Sequence, residues 1–176
     1  MNLFEERVIL VNEHDAPQGT MGKMEAHERG LLHRAFSIFL FNSSGELLLQ
    51  QRALDKYHSG GLWTNTCCSH PRSGETVEEA AVRRLREEMG LEASMQRAFH
   101  FIYRAELDHG MIEHELDHVL TGVSDAPPQI NPEEVAAHRY VALEELQTEM
   151  AHHPERFTVW FRICFPEVLT RVHPIP

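Results

Sequence analysis

A chain of 176 residues, 42% hydrophobic and 24% charged, has globular composition and is long enough for one domain with a real core, taken here as residues 1–176. Sixteen Lys and Arg against 27 Asp and Glu leave a formal charge of −11, which argues against nucleic acid or an anionic membrane as partner; an anionic small ligand needs locally clustered cations. No run approaches the roughly 20 apolar residues of a membrane span, and the acidic start MNLFEER is unlike a signal peptide, so a cytoplasmic protein is expected.

Glu6 to Val11 is a β-branched run closed by Asn12, Asp15 and Pro17, which predicts a first strand and a turn. The Gly-interrupted MGKMEAHERGLLHRAF, carrying Lys23, His27 and His33, reads as a loop leading into a strand over Ala35 to Asn42. Ser43-Ser44-Gly45 is a turn, and Glu46 to Arg52 the returning arm of a hairpin. A loop with Gly60-Gly61 then carries Arg52 and Lys56 toward WTNTCCSHP.

The helix that follows has the clearest signals. Thr76 and Glu79 fit a capping box, and Gly90 stands just past Met89, where a left-handed cap belongs. Val77, Ala80, Ala81, Leu85 and Met89 share one face of the wheel, with Glu79, Arg83, Arg86 and Glu87 opposite. Arg84 and Glu88 fall inside the apolar face. Charges there are costly unless paired or bound, so they form either an internal salt bridge or part of a ligand site.

After Leu91 the pattern returns to period two. Phe99 to Leu107 and Ile112 to Gly122 read as strands joined at Asp108-His109-Gly110. Alternation puts Glu113, Glu115 and Asp117 on one face, with the Glu113 and Glu115 Cα atoms about 7 Å apart. That face is either solvated or a site. Pro127-Pro128 and Asn131-Pro132 mark a loop, His138 to Ala142 a short strand, Leu143 to Met150 a helix, and Pro154 to Val172 a helix ended or kinked at Pro166. No internal repeat or second domain is visible.

Three cysteines, two of them adjacent, make a poor disulfide framework and leave thiols for chemistry or metal. Adjacent residues in an extended segment point oppositely, so only one of Cys67 and Cys68 should face a shared pocket. His27, His33, His70, Glu113 and Glu115 make a mixed nitrogen and oxygen set suited to a divalent transition metal if the fold brings them together.

From Ser69 onward the chain resembles the Nudix box, through Glu75, Arg83, Leu85, Glu87, Glu88, Gly90 and Leu91. Ser69 replaces the box glycine, and Arg84 replaces a glutamate that a Nudix hydrolase uses to gather metal, which speaks against ordinary hydrolysis. These departures, with WTNTCCSHP, GKMEAH, LLHRAFS, LLLQQRA, FIYRAEL and IEHE, resemble the type I isopentenyl-diphosphate isomerases over about Gly19 to Leu120.

The resemblance implies a Nudix-type α/β/α sandwich with a mixed β-sheet, and interconversion of isopentenyl and dimethylallyl diphosphate through a tertiary carbocation. It implies Cys68 and Glu115 as the proton-transferring pair, with Tyr103 assisting. His27, His33, His70, Glu113 and Glu115 are then ligands of one divalent metal, Mn²⁺ or Zn²⁺, with Mg²⁺ and Fe²⁺ as alternatives. A second ion, Mg²⁺, bridges the substrate diphosphate to Glu88 and the Cys68 carbonyl. Lys23, Arg52, Lys56 and Arg84 bind phosphate oxygens, and Trp160 offers a π face to the cation. The expected partner is a small prenyl diphosphate, with the protein a monomer or weak homodimer. A Nudix hydrolase and a non-catalytic prenyl-diphosphate binder are the competing readings.

Overall fold

A computed structural model describes residues 6–172; residues 1–5 and 173–176 of the expected domain lie outside the described residues. In chain order the elements are β1 (Arg7–Val11), β2 (Pro17–Gly22), α1 (Lys23–Arg29), β3 (His33–Phe41), β4 (Leu47–Arg52), β5 (Trp63–Thr64) and β6 (Cys67–Ser69). There follow α2 (Val77–Met89), β7 (Met95–Glu106), β8 (Ile112–Val123), β9 (Val135–Val141), α3 (Leu143–His152) and α4 (Val159–Arg171). No helix among the described residues is long and apolar enough to cross a membrane.

The sheet is built around β3, a near-continuous apolar run of the kind covered on both faces. It pairs antiparallel with β1, β4 and β6 and parallel with β8, so the sheet is mixed. Alternation sorts its side chains between two cores. Phe36, Ile38 and Leu40 pack with Val77, Ala80, Ala81, Leu85 and Met89 of α2, the apolar stripe expected from the sequence. Phe39 and Phe41 pack on the other face against Trp160, Phe161, Cys164 and Phe165 of α4 and Leu146 of α3. The result is the expected α/β/α sandwich.

The caps of α2 are those expected. Thr76 Oγ1 accepts from the Glu79 amide, the Glu79 carboxylate accepts from the Thr76 amide, and Gly90 adopts φ 62°. A Cβ at Gly90 would lie 2.6 Å from the Gln129 carbonyl oxygen. Gly90→Ala therefore combines left-handed strain with a backbone clash, and should cost roughly 1–3 kcal/mol in urea unfolding.

Three local expectations are corrected. The segment around Lys23 and His27 is not a loop but the exposed strand β2 and the short helix α1, which starts at Gly22 without a side-chain cap. β3 and β4 do not form a regular hairpin, since they pair only at Phe41↔Leu47 and then diverge. Pro166 does not end α4, which runs on to Arg171: it lies on the exposed face, as does Arg162 one turn earlier, whose carbonyl water can satisfy.

The β3/β4 divergence is what makes the site. Thr66 fills the fork, its hydroxyl accepting from the Leu40 amide (2.9 Å) and donating to the Leu48 carbonyl (2.6 Å). Asn65 Nδ2 donates to the Ile38 and Cys67 carbonyls, and Gln50 Nε2 to the Thr66 carbonyl. These buried side chains replace the missing ladder bonds and seat β5 on β4 and β6 on β3.

Candidate active site

Strand register assembles the floor of a cleft. Parallel pairing sets His33 beside Glu115, and antiparallel pairing sets Tyr103 on the other side of it. Tyr103 Oη donates to Glu115 Oε2 at 2.7 Å, while His70 Nε2 and His33 Nε2 lie 2.9 and 3.4 Å from Glu115 Oε1. Two residues earlier on the same face, Glu113 Oε2 lies 3.2 Å from His27 Nε2. The acidic face of β8 is thus buried, not solvated.

The imidazoles are arranged for coordination. In α1 the helical turn brings His27 Nδ1 to the Lys23 carbonyl at 2.7 Å, and His33 Nδ1 meets the Leu31 carbonyl at 2.8 Å. A carbonyl only accepts, so each ring carries its proton at Nδ1 and presents a lone pair at Nε2. Both Nε2 atoms are buried without a hydrogen-bond partner. Burial lowers His70 to about 4 despite the pull of Glu115, and burial lowers His27 as well, so both are neutral at pH 7, as a ligand must be.

Donor atoms of His27, His33, His70 and Glu115 all lie within 4.8 Å of one another, and His27, His58 and Glu113 form a second, overlapping group. Burial and the adjacent Glu115 raise Glu113 well above the usual carboxylate range, because two buried carboxylates this close do not both ionise without a cation. Orphaned lone pairs, carbonyl-oriented rings and crowded carboxylates fit a divalent metal.

Cys68 pairs with Ser37 across β6 and β3 and is half-buried at the cleft wall, whereas Cys67 is fully buried in the core under α2. The opposite orientation expected of adjacent cysteines is therefore realised. Burial pushes the Cys68 thiol up to about 12, with Arg52 opposing the rise, so it is a protonated acid at neutral pH. Trp160 also lines the cleft, with the Arg52 guanidinium 5.2 Å from its ring centroid.

All four expected cations, Lys23, Arg52, Lys56 and Arg84, line this same cleft with Glu88. Arg84 Nη2 bonds Glu88 Oε1 at 2.5 Å, Lys56 pairs with Glu134, and Lys23 pairs with Glu6 at 2.9 Å. The two readings of Arg84 and Glu88 are not exclusive, since the pair is a salt bridge that forms part of the cleft.

Four further residues join this arrangement without a role assigned from the sequence. Gln50 bonds Glu88 Oε2 at 2.8 Å, Glu134 bridges Lys56 and Arg84, Asp117 is buried and accepts from Ser37 at 2.7 Å, and His58 reaches Glu113. Asp117 was marked by its place on the acidic face; the other three have no local signal, because their partners are distant in the chain.

Residues 31–161 match the NUDIX domain family. A Pectobacterium atrosepticum protein named isopentenyl-diphosphate Delta-isomerase is 54% identical, over 92% of this chain and 90% of its own. Isopentenyl-diphosphate Delta-isomerase 2 of Aromatoleum aromaticum is 51% identical over 95% of this chain and 88% of its own. Among solved structures, a Deinococcus radiodurans protein superposes with a TM-score of 0.69 at 26% identity, covering 84% of this chain and 90% of that one. The MutT protein of Methanosarcina mazei does so with a TM-score of 0.66 at 20% identity over 79% and 94%, a likeness of fold alone. Sequence and fold together place the chain in the NUDIX domain family and, within it, among the isopentenyl-diphosphate Delta-isomerases.

Proposed function

We propose that this cleft interconverts isopentenyl and dimethylallyl diphosphate, with Cys68 and Glu115 as the proton-transferring pair, in a single cytoplasmic domain that serves isoprenoid biosynthesis. The observation that carries the reading is a protonated thiol and a carboxylate held by Tyr103 lining one cleft, beside four cations. Hydrolysis needs an activated water and a cluster of helix carboxylates; here Arg84 occupies one such position and its guanidinium neutralises Glu88.

In the forward direction a proton added to the terminal methylene leaves a tertiary cation. Loss of a proton from the carbon on the diphosphate side then gives the internal alkene. Cys68 is suited to donate the first proton and Glu115, with the Tyr103 hydroxyl as relay, to accept the second; the roles exchange in reverse. The Trp160 ring and the guarded cleft favour the cation over its capture by water.

Lys23, Arg52, Lys56 and Arg84 hold the diphosphate, exchanging some of their present carboxylate partners for phosphate oxygens. Glu88 and the Cys68 carbonyl would hold a Mg²⁺ that arrives with the substrate. His27, His33, His70, Glu113 and Glu115 would hold one further divalent ion, Mn²⁺ or Zn²⁺ by donor type. When bound, that ion neutralises the paired carboxylates and tunes the acidity of Glu115.

Incubating the metal-supplied protein with isopentenyl diphosphate in D₂O and following products by NMR tests the reading. Dimethylallyl diphosphate carrying solvent deuterium is expected; released phosphate would instead identify a hydrolase, and unchanged substrate a binder.

A further inference from the structure

We propose that His58 is a positioning residue for Glu113: its ring N–H holds one carboxylate oxygen so that the other is presented to the metal. This rests on the metal-site reading above and extends it to a residue outside the expected ligand set.

Glu113 stands between two imidazoles, one at each oxygen. Oε2 lies 3.2 Å from His27 Nε2, the nitrogen left with a lone pair by the Lys23 carbonyl. Oε1 lies 3.3 Å from His58 Nε2. The two nitrogens differ in kind. The four-residue donor group of His27, His33, His70 and Glu115 includes neither His58 nor Glu113, which meet with His27 in a second group. His58 shares no such group with His33, His70 or Glu115, so it reaches the four-residue group only by way of Glu113 and His27. Its Nε2 is buried without a well-formed hydrogen bond, and the carboxylate oxygen within its reach is Glu113 Oε1.

The other ring nitrogen is provided for as well. Ser59 Oγ lies 3.2 Å from His58 Nδ1, and a hydroxyl donating there leaves the imidazole proton on Nε2, facing Glu113. Ser59 holds this place at a cost: it adopts φ 52°, the left-handed region unusual for a residue with a Cβ, and is itself buried. Its amide donates to Asp108 Oδ2 at 3.3 Å, anchoring the turn to the 3-10 turn Asp108–Gly110 before β8. Strain retained at a buried polar contact beside a reactive cluster indicates a functional constraint. The ring itself is fixed by edge-to-face packing on Tyr57 (4.4 Å) and Trp160 (5.7 Å). A carboxylate ligand whose second oxygen is held by a rigid donor is an outer-shell arrangement that raises metal affinity.

The test compares His58→Phe, which keeps the ring volume without the donor, with His58→Gln, which keeps an N–H. Metal-free protein is titrated with Co²⁺ by calorimetry, and Mn²⁺-loaded protein is examined by pulsed electron paramagnetic resonance for directly bound nitrogen. Expected are a roughly 10–100-fold weaker Co²⁺ affinity in His58→Phe, substantial recovery in His58→Gln, the same nitrogen couplings in all three proteins, and little change in the melting temperature of the metal-free forms. Unchanged affinity in His58→Phe, or equal loss in both variants, would overturn the role. So would a nitrogen coupling lost with the imidazole, since His58 would then be a ligand. If the parent protein itself bound no Co²⁺, the metal-site reading would fail, which is distinguishable from failure of His58 alone.

Discussion

Cys68→Ala is expected to lower isomerisation by about 10⁴-fold, the upper end of what a positioned proton donor contributes, while the diphosphate still binds. The two effects separate because the thiol supplies a proton while the cations, carried by other elements, supply the charge that holds the diphosphate. Cys68 sits at the β6 edge beside Ser37, whereas Lys23, Arg52, Lys56 and Arg84 reach in from α1, the end of β4, the following loop and α2. Folding should be little affected, since the half-buried thiol lies at the cleft wall and Cys67, the fully buried neighbour, is untouched. Cys68→Ser restores a hydroxyl of nearly the same size but a weaker acid, so its activity should remain far below that of the parent. Initial rates with isopentenyl diphosphate, alongside calorimetric binding of inorganic diphosphate, measure both quantities. Parental turnover in Cys68→Ala would remove the thiol from the mechanism.

Glu115→Gln is expected to have a double effect, because the same carboxylate serves two purposes. It accepts the Tyr103 hydroxyl at 2.7 Å and stands 2.9 Å from His70, so it is both the proposed proton acceptor and a member of the four-residue donor group. An amide cannot take a proton at neutral pH, so turnover should fall at least as far as in Cys68→Ala. Metal affinity should fall as well, by more than the roughly 10–100-fold typical of losing an outer-shell partner. Turnover measured at saturating Mn²⁺ and Mg²⁺ separates the two losses: a rate restored by excess metal would confine Glu115 to ligation and eliminate it as the base.

Inorganic diphosphate affinity should be retained in both variants. Neither Cys68 nor Glu115 supplies positive charge to the cleft, so the four cations should retain the anion in both. The His58 variants act one step further out, through Glu113, and their main signature is affinity for metal.

The sequence by itself determined what depends on near neighbours. The α2 helix was legible from its capping box, its apolar stripe and Gly90, because each signal lies within one or two helical turns. The opposite orientation of Cys67 and Cys68 and the common face of Glu113 and Glu115 followed from the two-residue period of a strand. The resemblance supplied most of the polar residues that line the cleft, though not Gln50, His58 or Glu134. α1 has no clear local signature, because seven residues opened by a glycine carry little helical signal, and such a helix is held by tertiary packing.

Only the tertiary structure decided which of these residues meet. Parallel register between β3 and β8 sets His33 beside Glu115, and antiparallel register sets Tyr103 beside it, pairings that no local pattern encodes. Thr66, fully buried in the fork between β3 and β4, opens the sheet where Cys68, Gln50 and Glu88 come to share one cleft. His58 lies in a loop, and what gives it a role is a carboxylate 55 positions further along the chain. Periodicity specifies the face on which a side chain stands; long-range strand pairing and packing specify what stands opposite it, and the chemistry of this site resides in those opposed pairs.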